Sequence, residues 1–154
     1  MNAKEYIKHL DLIPHPEGGH YKEIYRSSTE VEFKMGKRSL LTSIYFLLEK
    51  NEKSHWHKIQ SDEQWHYYAG APLTICILKD SKIEKHILGN NIEKGESPFI
   101  NVAANHWFGA YSNGDFTLVG ATVSPGFDFK DFVLARREDI PTNDPLSLAL
   151  ILNS

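Results

Sequence analysis

The sequence predicts an all-β fold, a sandwich or barrel, with one short helix at its start. Many short segments are apolar or alternate between apolar and polar residues. Turn residues separate them roughly every 8–12 positions, a spacing typical of all-β domains. No long helical pattern lies between the predicted strands, which argues against a parallel α/β sheet. A single domain over residues 1–154 is expected from this length.

The predicted helix occupies residues 1–12. Asn2 is a good N-cap, and Glu5 lies three residues later, where it can complete a capping box. Pro14 and Pro16 then end the helical pattern, because proline lacks a backbone donor and clashes with the preceding turn.

Period-two alternation begins after Gly19 and predicts strands from there on. Residues 40–48 form a nearly continuous apolar run, which indicates a strand buried on both faces. Further strands are predicted near residues 54–59, 63–69, 73–79, 82–88, 99–103, 106–111, 116–123 and 127–135. Asn113 and Gly114 predict a hairpin turn, since both tolerate positive φ.

Composition limits the classes of partner. The net charge is −3 and the sequence pI about 6.2, so the chain lacks the basic surface of a general nucleic-acid binder. No apolar run reaches the ~20 residues of a membrane span, and the start of the chain has no signal-peptide core. A lone Cys76 suits a reducing compartment. We therefore expect a cytoplasmic protein that binds neither nucleic acid nor membrane.

The tail over residues 138–154 ends in an apolar run, Leu146 to Leu152. Such a run needs cover from water, so it is expected to dock on the core or on a partner subunit.

The densest chemical segment contains His55, His57 and Glu63. On a strand, residues two apart leave the same face, and a loop after Ile59 would bring Glu63 back opposite the histidines. Two imidazoles and a carboxylate in a barrel interior suit an open divalent-metal site. The alternative is that His55 and His57 belong to a half-exposed strand face. His66 has the opposite parity to Glu63 and is expected to face elsewhere in a regular strand.

This segment resembles the first motif of the cupin superfamily. His55 and His57 match its paired histidines, Glu63 its acidic ligand and Gly70 its closing glycine, with a longer loop before Glu63 than the pattern has. The resemblance implies a jelly-roll barrel, a double-stranded β-helix. It also implies a divalent metal such as Zn, Fe, Mn or Ni, held by these three side chains.

The second cupin motif is expected around residues 102–108. Ala103 and Asn105 stand where the pattern has its proline and glycine, and Phe108 replaces the metal-binding histidine. His106 has the strand parity of Phe108 and is the candidate substitute ligand.

A narrower resemblance, to the cupin-5 subfamily, covers nearly the whole chain. It rests on His15-Pro16-Glu17-Gly18-Gly19, on Tyr21, Glu23 and Arg26, on residues 42–48, on His57, on residues 61–66, on residues 118–120, and on residues 124–129. Proteins of this subfamily are small jelly-roll homodimers without an assigned reaction, similar in fold to sugar-nucleotide epimerases. The subfamily keeps one histidine, at the position of His57. The resemblance therefore implies a homodimer with an interior pocket for a small polar ligand, either sugar-like or nucleotide-sugar-like.

Candidate residues follow from chemistry and from the resemblance together. The expected catalytic residues are His57, Glu63 and His66, because groups that titrate near neutrality suit proton transfer. The expected ligand-binding residues are Glu17, Glu23, Arg26, Tyr45, Trp65 and Trp107. The alternatives are that Glu23 and Arg26 form a surface pair, that Glu17 caps a turn, and that the aromatic residues belong to the core.

Three functional hypotheses remain open on the sequence. The first is an enzyme, an isomerase or epimerase, that acts on a small polar substrate. The second is a binding or sensing module without chemistry. The third is a metal-dependent dioxygenase, which needs three firm ligands with open positions.

Overall fold

Two antiparallel β-sheets enclose most of the buried side chains in this computed structural model, which describes residues 1–141 and 145–151. The strands, in chain order, are β1 (Ile13–Pro14), β2 (His20–Arg26), β3 (Glu30–Phe33), β4 (Gly36–Ser39), β5 (Thr42–Glu49), β6 (Lys53–Lys58), β7 (Asp62–Gly70), β8 (Leu73–Lys79), β9 (Lys82–Leu88), β10 (Phe99–Val102), β11 (Phe108–Ser112), β12 (Phe116–Ser124) and β13 (Val133–Leu134). The predicted all-β jelly-roll class is confirmed.

The larger sheet has six strands in the order β1-β2-β5-β12-β7-β10, and the smaller has five in the order β13-β6-β11-β8-β9. Strands β3 and β4 form a separate hairpin. The two sheets share one core, in which Phe46 and Trp65 of the larger sheet pack with Ile75 and Phe108 of the smaller. Each sheet is therefore stabilised by burial of the apolar face that it presents to the other.

The N-terminal helix α1 is shorter than predicted and spans Ala3–His9. Its capping box forms as expected: Asn2 Oδ1 accepts from the Glu5 N–H at 2.9 Å, and the Asn2 N–H donates to Glu5 Oε2 at 2.7 Å. A second helix, α2, spans Pro145–Ala149. Neither described helix has the length and apolar composition needed to cross a membrane.

Strand predictions between residues 54 and 123 are met with ends shifted by at most two residues. The apolar run near residue 40 forms β5, with Phe46, Leu47 and Leu48 all buried. Leu47 packs under α1 while Phe46 and Leu48 enter the shared core. Burial on both faces explains why this strand lacks polar alternation.

The predicted strand over 127–135 is wrong. Only Val133–Leu134 is a strand, and a 3₁₀ turn occupies Phe129–Asp131. The Asp128 carboxylate accepts from the Lys130 N–H at 2.9 Å, a local bond that competes with strand pairing. The aromatic alternation of this segment arises from packing around a turn.

The apolar tail docks on the core of its own chain. Leu150 is fully buried in a cluster with Trp56 and Cys76. Its carbonyl oxygen accepts from the Trp56 N–H at 2.7 Å, which ties the tail to β6. Parts of the predicted tail, residues 142–144 and 152–154, lie outside the described residues.

Candidate active site

The described structure contains a cavity of about 450 Å³, a volume within the range of small-molecule sites. Strands β2, β5, β6, β7 and β12 contribute to its walls, and the turn after Gly126 closes one side. Its lining residues are His15, Glu17, Tyr21, Glu23, Arg26, Thr42, Ile44, His57, Ile59, Glu63, Ala121, Val123, Phe127, Asp128, Phe129 and Phe132. Polar groups thus converge on a space with an apolar and aromatic wall.

The turn between β1 and β2 places Glu17 in this cavity. Gly18 has φ +105°, and a Cβ there would lie 1.9 Å from the Lys53 carbonyl oxygen. Only glycine permits both the positive φ and this approach to β6. The close approach is sealed by the His55 N–H, which donates to the Glu17 carbonyl oxygen at 2.8 Å. Gly18 is therefore required to bring Glu17 against β6.

Glu17 is bound by two side chains of β6. Its Oε2 lies 2.9 Å from His57 Nε2, and its Oε1 accepts from Ser54 Oγ at 2.8 Å. Residues three apart would point to opposite faces of a regular strand. The register of β6 with β11 shifts by one residue between Ser54 and His57, and this bulge lets both side chains reach the same carboxylate.

The Glu17–His57 contact is an ion pair. Burial alone would lower the pKa of His57, but the charge and hydrogen bond of Glu17 outweigh it and the pKa is raised. Burial alone would raise the pKa of Glu17, but His57 and the Ser54 hydroxyl lower it. His57 Nδ1 also donates to the His55 carbonyl oxygen at 2.8 Å. Both ring nitrogens of His57 are therefore engaged within the protein.

Glu63 is a third buried ionisable group in the cavity, beside Glu17 and His57. Burial raises its pKa to about 8, assisted by the Glu17 charge and opposed by His57. It lines the cavity, and no described residue forms a hydrogen bond with its carboxyl group. At neutral pH Glu63 is thus mostly a neutral acid that faces the cavity.

Glu23 and Arg26 lie at the mouth of the cavity. Arg26 Nε donates to Glu23 Oε1 at 3.1 Å, and Arg26 Nη2 donates to the Phe127 carbonyl oxygen at 3.0 Å. Their side chains are 41% and 46% exposed. Glu23 and Arg26 therefore form a surface ion pair, as the alternative interpretation stated, and both residues also line the cavity.

His66 and Tyr45 lie outside the cavity. The centroid of the His66 ring lies 5.5 Å from that of Phe99. Because side chains alternate along a strand and His66 follows Glu63 by three residues, the two side chains lie on opposite sides of β7. The Tyr45 ring packs against Tyr68 at 6.1 Å. Strand alternation thus separates both side chains from the groups that line the cavity.

Trp65 and Trp107 also lie outside it. Trp65 is fully buried in the shared core and packs edge-on against Phe46 and Phe108. Trp107 lies under the Lys58 ammonium group at 4.6 Å. Trp65 is therefore a core residue, as the alternative interpretation stated. Trp107 packs against the cluster that contains Trp56 and Leu150.

The residues expected to hold a cavity metal do not fit one. His57 has no free ring nitrogen, and His55 Nδ1 lies 2.7 Å from the Glu17 carbonyl oxygen. His106 Nδ1 is bonded to backbone carbonyl oxygens of its own loop, outside the cavity. The Phe108 ring, at the position of the missing ligand, packs on His57 at 4.1 Å. Of the four expected ligands, only His57 and Glu63 line the cavity, and of these two only Glu63 has ligand atoms without a hydrogen-bond partner among the described residues.

A different group has the spacing of a metal site. The ligand atoms of His20, Glu49 and Glu52 all lie within 4.8 Å of one another. All three are half-buried, and none lines the cavity. Possible metal ligands are therefore present in the described part of the chain, but at another place than expected.

Sequence reasoning missed His15 and the aromatic wall. His15 Nδ1 accepts from the Glu17 N–H at 3.1 Å, and burial lowers the pKa of its imidazole. Its ring packs against Tyr21 at 4.5 Å and near Phe129 and Phe132. The signal was its position two residues before Glu17.

Comparison with known proteins places this geometry in context. Residues 4–135 match the family described as Cupin superfamily (DUF985). A hypothetical protein from Leishmania major is 32% identical, with a TM-score of 0.91 and coverage of 98% of this chain and 99% of that one. A protein from Shewanella oneidensis is 39% identical, with a TM-score of 0.90 and coverage of 99% and 98%.

More distant structures share the fold alone. Oxalate decarboxylase from Bacillus subtilis is 12% identical, with a TM-score of 0.54 over 78% of this chain and 29% of that one. Vicilin from hazelnut is 10% identical, with a TM-score of 0.55 over 79% and 33%. A search of curated proteins found no match.

Proposed function

The chain belongs to the cupin superfamily, in the family DUF985, and on that basis we propose that its cavity binds a small polar, sugar-like ligand and transfers a proton on it. The reaction class is isomerisation or epimerisation next to a carbonyl group. One observation carries the proposal: a mostly neutral Glu63 faces the cavity beside the buried Glu17–His57 ion pair. Environments that push the pKa values of neighbouring groups apart are typical of acid–base sites.

Glu63 is the group that would exchange the proton. With its pKa raised to about 8, Glu63 is mostly protonated at pH 7 and its ionised form is the minor one. The ionised form would take the proton from carbon, and the acid so formed would return it, so that no net proton is consumed. The His57 charge favours the carboxylate form and lowers the cost of ionisation.

His57 and Glu17 are positioning residues in this scheme. Since both His57 nitrogens are engaged, the imidazolium acts on Glu63 through its charge rather than by touching ligand. The Glu17 carboxylate keeps that charge in place, and Ser54 holds Glu17.

The charges of the lining favour an uncharged ligand. Glu17 offsets His57, and Glu23 offsets Arg26. No described cation of the lining is left without a carboxylate partner to meet a phosphate group. Phe127, Phe129 and Phe132, which pack together in the cavity lining, offer ring faces on which the apolar side of a sugar can pack. A free aldose or ketose therefore fits better than a phosphorylated or nucleotide-linked one.

The test is proton exchange with solvent. The protein is first screened by thermal shift against free sugars, sugar phosphates and nucleotide sugars, because ligand binding raises the melting temperature. Each stabilising compound is then incubated with protein in D₂O. The proposal expects NMR to show deuterium on the carbon next to the carbonyl group, and it expects uncharged sugars to be the stabilising class.

Matched variants separate chemistry from binding. Glu63→Gln keeps the shape of the side chain and is expected to abolish exchange while the ligand still stabilises the protein. Glu84→Gln changes an exposed carboxylate on β9 and leaves exchange intact. Exchange that survives Glu63→Gln contradicts the assigned role. Stabilisation without any exchange would make the chain a binding module.

A further inference from the structure

The three possible metal ligands come from two neighbouring segments. His20 is the first residue of β2, Glu49 is the last of β5, and Glu52 lies in the turn that leads to β6. Strands β2 and β5 pair directly, with His20 opposite Leu47. The sheet itself therefore brings the imidazole beside the two carboxylates.

The spacing of the ligand atoms fits an ion between them. His20 Nδ1 lies 3.9 Å from Glu52 Oε1, too far for a hydrogen bond. Zinc binds imidazole nitrogen and carboxylate oxygen at about 2.0–2.2 Å. Two such bonds span this gap, and the Glu49 carboxylate lies within the same 4.8 Å sphere of ligand atoms.

The ring nitrogen of His20 lacks a partner. His20 Nδ1 is shielded from solvent and has no hydrogen-bond partner in the described structure. A buried polar atom without a partner carries a desolvation cost. It faces a site whose other members are carboxylates, so a bound cation would satisfy the nitrogen lone pair.

The two carboxylates also lack a cation. Within the described residues, no Lys or Arg forms an ion pair with Glu49 or Glu52. Glu52 Oε2 accepts from the Glu49 N–H at 2.8 Å, which fixes the carboxylate and leaves Oε1 directed to His20. Like charges held this close repel each other unless a cation lies between them.

We propose that His20, Glu49 and Glu52 bind a first-row transition-metal ion, with Zn²⁺ as the probe. An imidazole with two carboxylates is a borderline ligand set that suits Zn²⁺ better than the hard cations Mg²⁺ and Ca²⁺. The remaining positions are open to water, because the site is half-buried. The ion joins the start of β2 to the turn between β5 and β6, outside the cavity.

The test is calorimetric titration of Zn²⁺ into metal-stripped, untagged full-length protein. About one Zn²⁺ per chain is expected to bind, and excess Mg²⁺ is not expected to displace it. Co²⁺ in place of Zn²⁺ provides a visible absorption spectrum that reports nitrogen and oxygen ligation. Absence of Zn²⁺ binding, or displacement by Mg²⁺, would overturn the proposal.

Three variants locate the ion. His20→Asn and Glu52→Gln are expected to weaken Zn²⁺ binding by about a hundredfold or more. His86→Asn is the matched control, because His86 pairs with Glu84 at 3.3 Å but has no second carboxylate. Melting curves recorded without metal confirm that each variant folds. For a variant too unstable for calorimetry, Co²⁺ is added instead, and its absorption spectrum is compared with that of the wild-type complex.

The outcomes are distinct from those of the proposed function. Loss of Zn²⁺ binding in His20→Asn with unchanged proton exchange supports the site as separate from the cavity. Full Zn²⁺ affinity in His20→Asn, or its loss in His57→Asn alone, overturns the assignment and directs attention back to the cavity.

Discussion

Two buried ion pairs of this protein differ in what surrounds them. The Arg38 and Asp131 side chains are 8% and 6% exposed, and His57 and Glu17 are 4% and 7% exposed. Arg38 binds Asp131 through two parallel hydrogen bonds of 2.8 and 2.7 Å. The Glu17–His57 pair instead borders Glu63, a carboxyl group without a hydrogen-bond partner in the described structure.

The comparison shows that burial of an ion pair does not by itself mark a functional site. Arg38 also donates hydrogen bonds to the carbonyl oxygens of Met35 and Lys37. The guanidinium group thus binds only groups of the protein, and the pair fixes the turn around Asp131. The pair in the cavity lies beside Glu63, which lines the cavity and whose carboxyl group no described residue binds. An unmatched third group, rather than the pair, distinguishes the site from a structural clamp.

The largest expected effect is the loss of the cation from the cavity pair. His57→Asn leaves the Glu17 carboxylate buried without its partner, and we expect about 3–5 kcal/mol of lost stability at pH 7 in urea denaturation. The loss should shrink as Glu17 is protonated at lower pH. The double variant His57→Asn/Glu17→Gln has no buried charge at this place and should recover part of the lost stability. If His57→Asn alone is as stable as wild type, His57 and Glu17 do not form an ion pair.

Glu63→Gln tests the third group through pH. A folded pKa of about 8 lies above the unfolded 4.5, so the folded state holds an extra proton and loses stability as pH rises between those values. The slope approaches about 1.4 kcal/mol per pH unit. The glutamine variant should lack this slope and be more stable than wild type at pH 9. Asp131→Asn should keep the pH dependence of the wild type. If Asp131→Asn also lost it, the pH dependence could not be assigned to Glu63, and the two ion pairs would not differ in this respect.

Ser54→Ala removes the hydroxyl that holds Glu17 from the other side. A buried hydrogen bond to a charged group contributes roughly 1.5–3 kcal/mol, and its length here is 2.8 Å. Ser124→Ala is the control, because its exposed hydroxyl bonds only a backbone carbonyl oxygen at 2.9 Å. Equal losses in the two variants, measured by thermal unfolding, would argue against a charged Glu17.

Glu23→Gln gives the smallest expected change. The Glu23–Arg26 pair is nearly half exposed, and exposed pairs contribute roughly 0.2–1 kcal/mol. The variant should also reduce the salt dependence of stability, since solvent ions screen this pair. A loss comparable to that of His57→Asn would mean that the mouth is less open to water than the structure indicates.

Much of the fold was predictable because its signals are local. The capping residues Asn2 and Glu5 determine the first helix, and period-two patterns with turn residues locate the central strands. The turn at Phe129–Asp131 was not predicted, because its aromatic residues alternate as in a strand. The bond of Asp128 to the Lys130 N–H and the remote partner Arg38 decide its conformation.

The candidate site was predictable in part. His57, Glu63, Glu17, Glu23 and Arg26 do line one cavity. Strand parity alone could not show that a bulge lets Ser54 and His57 bind one carboxylate, since a bulge depends on pairing between distant segments.

Metal ligation was expected from residue types near one another in sequence. In the structure both ring nitrogens of His57 and the Nδ1 atom of His55 contact other groups of the protein, and His55 does not line the cavity. The group with metal-like spacing draws His20 from a segment remote from Glu49 and Glu52. Only the pairing of β2 with β5 reveals it.

The protonation state of Glu63 decides whether a neutral acid faces the cavity. A pH titration of protein with ¹³C-labelled glutamate carboxyl groups, assigned by comparison with Glu63→Gln, follows this group by NMR. We predict a midpoint of about 8 for the Glu63 signal. A midpoint near the ordinary value of 4.5 would show that an ionised carboxylate, and not a neutral acid, faces the cavity at pH 7.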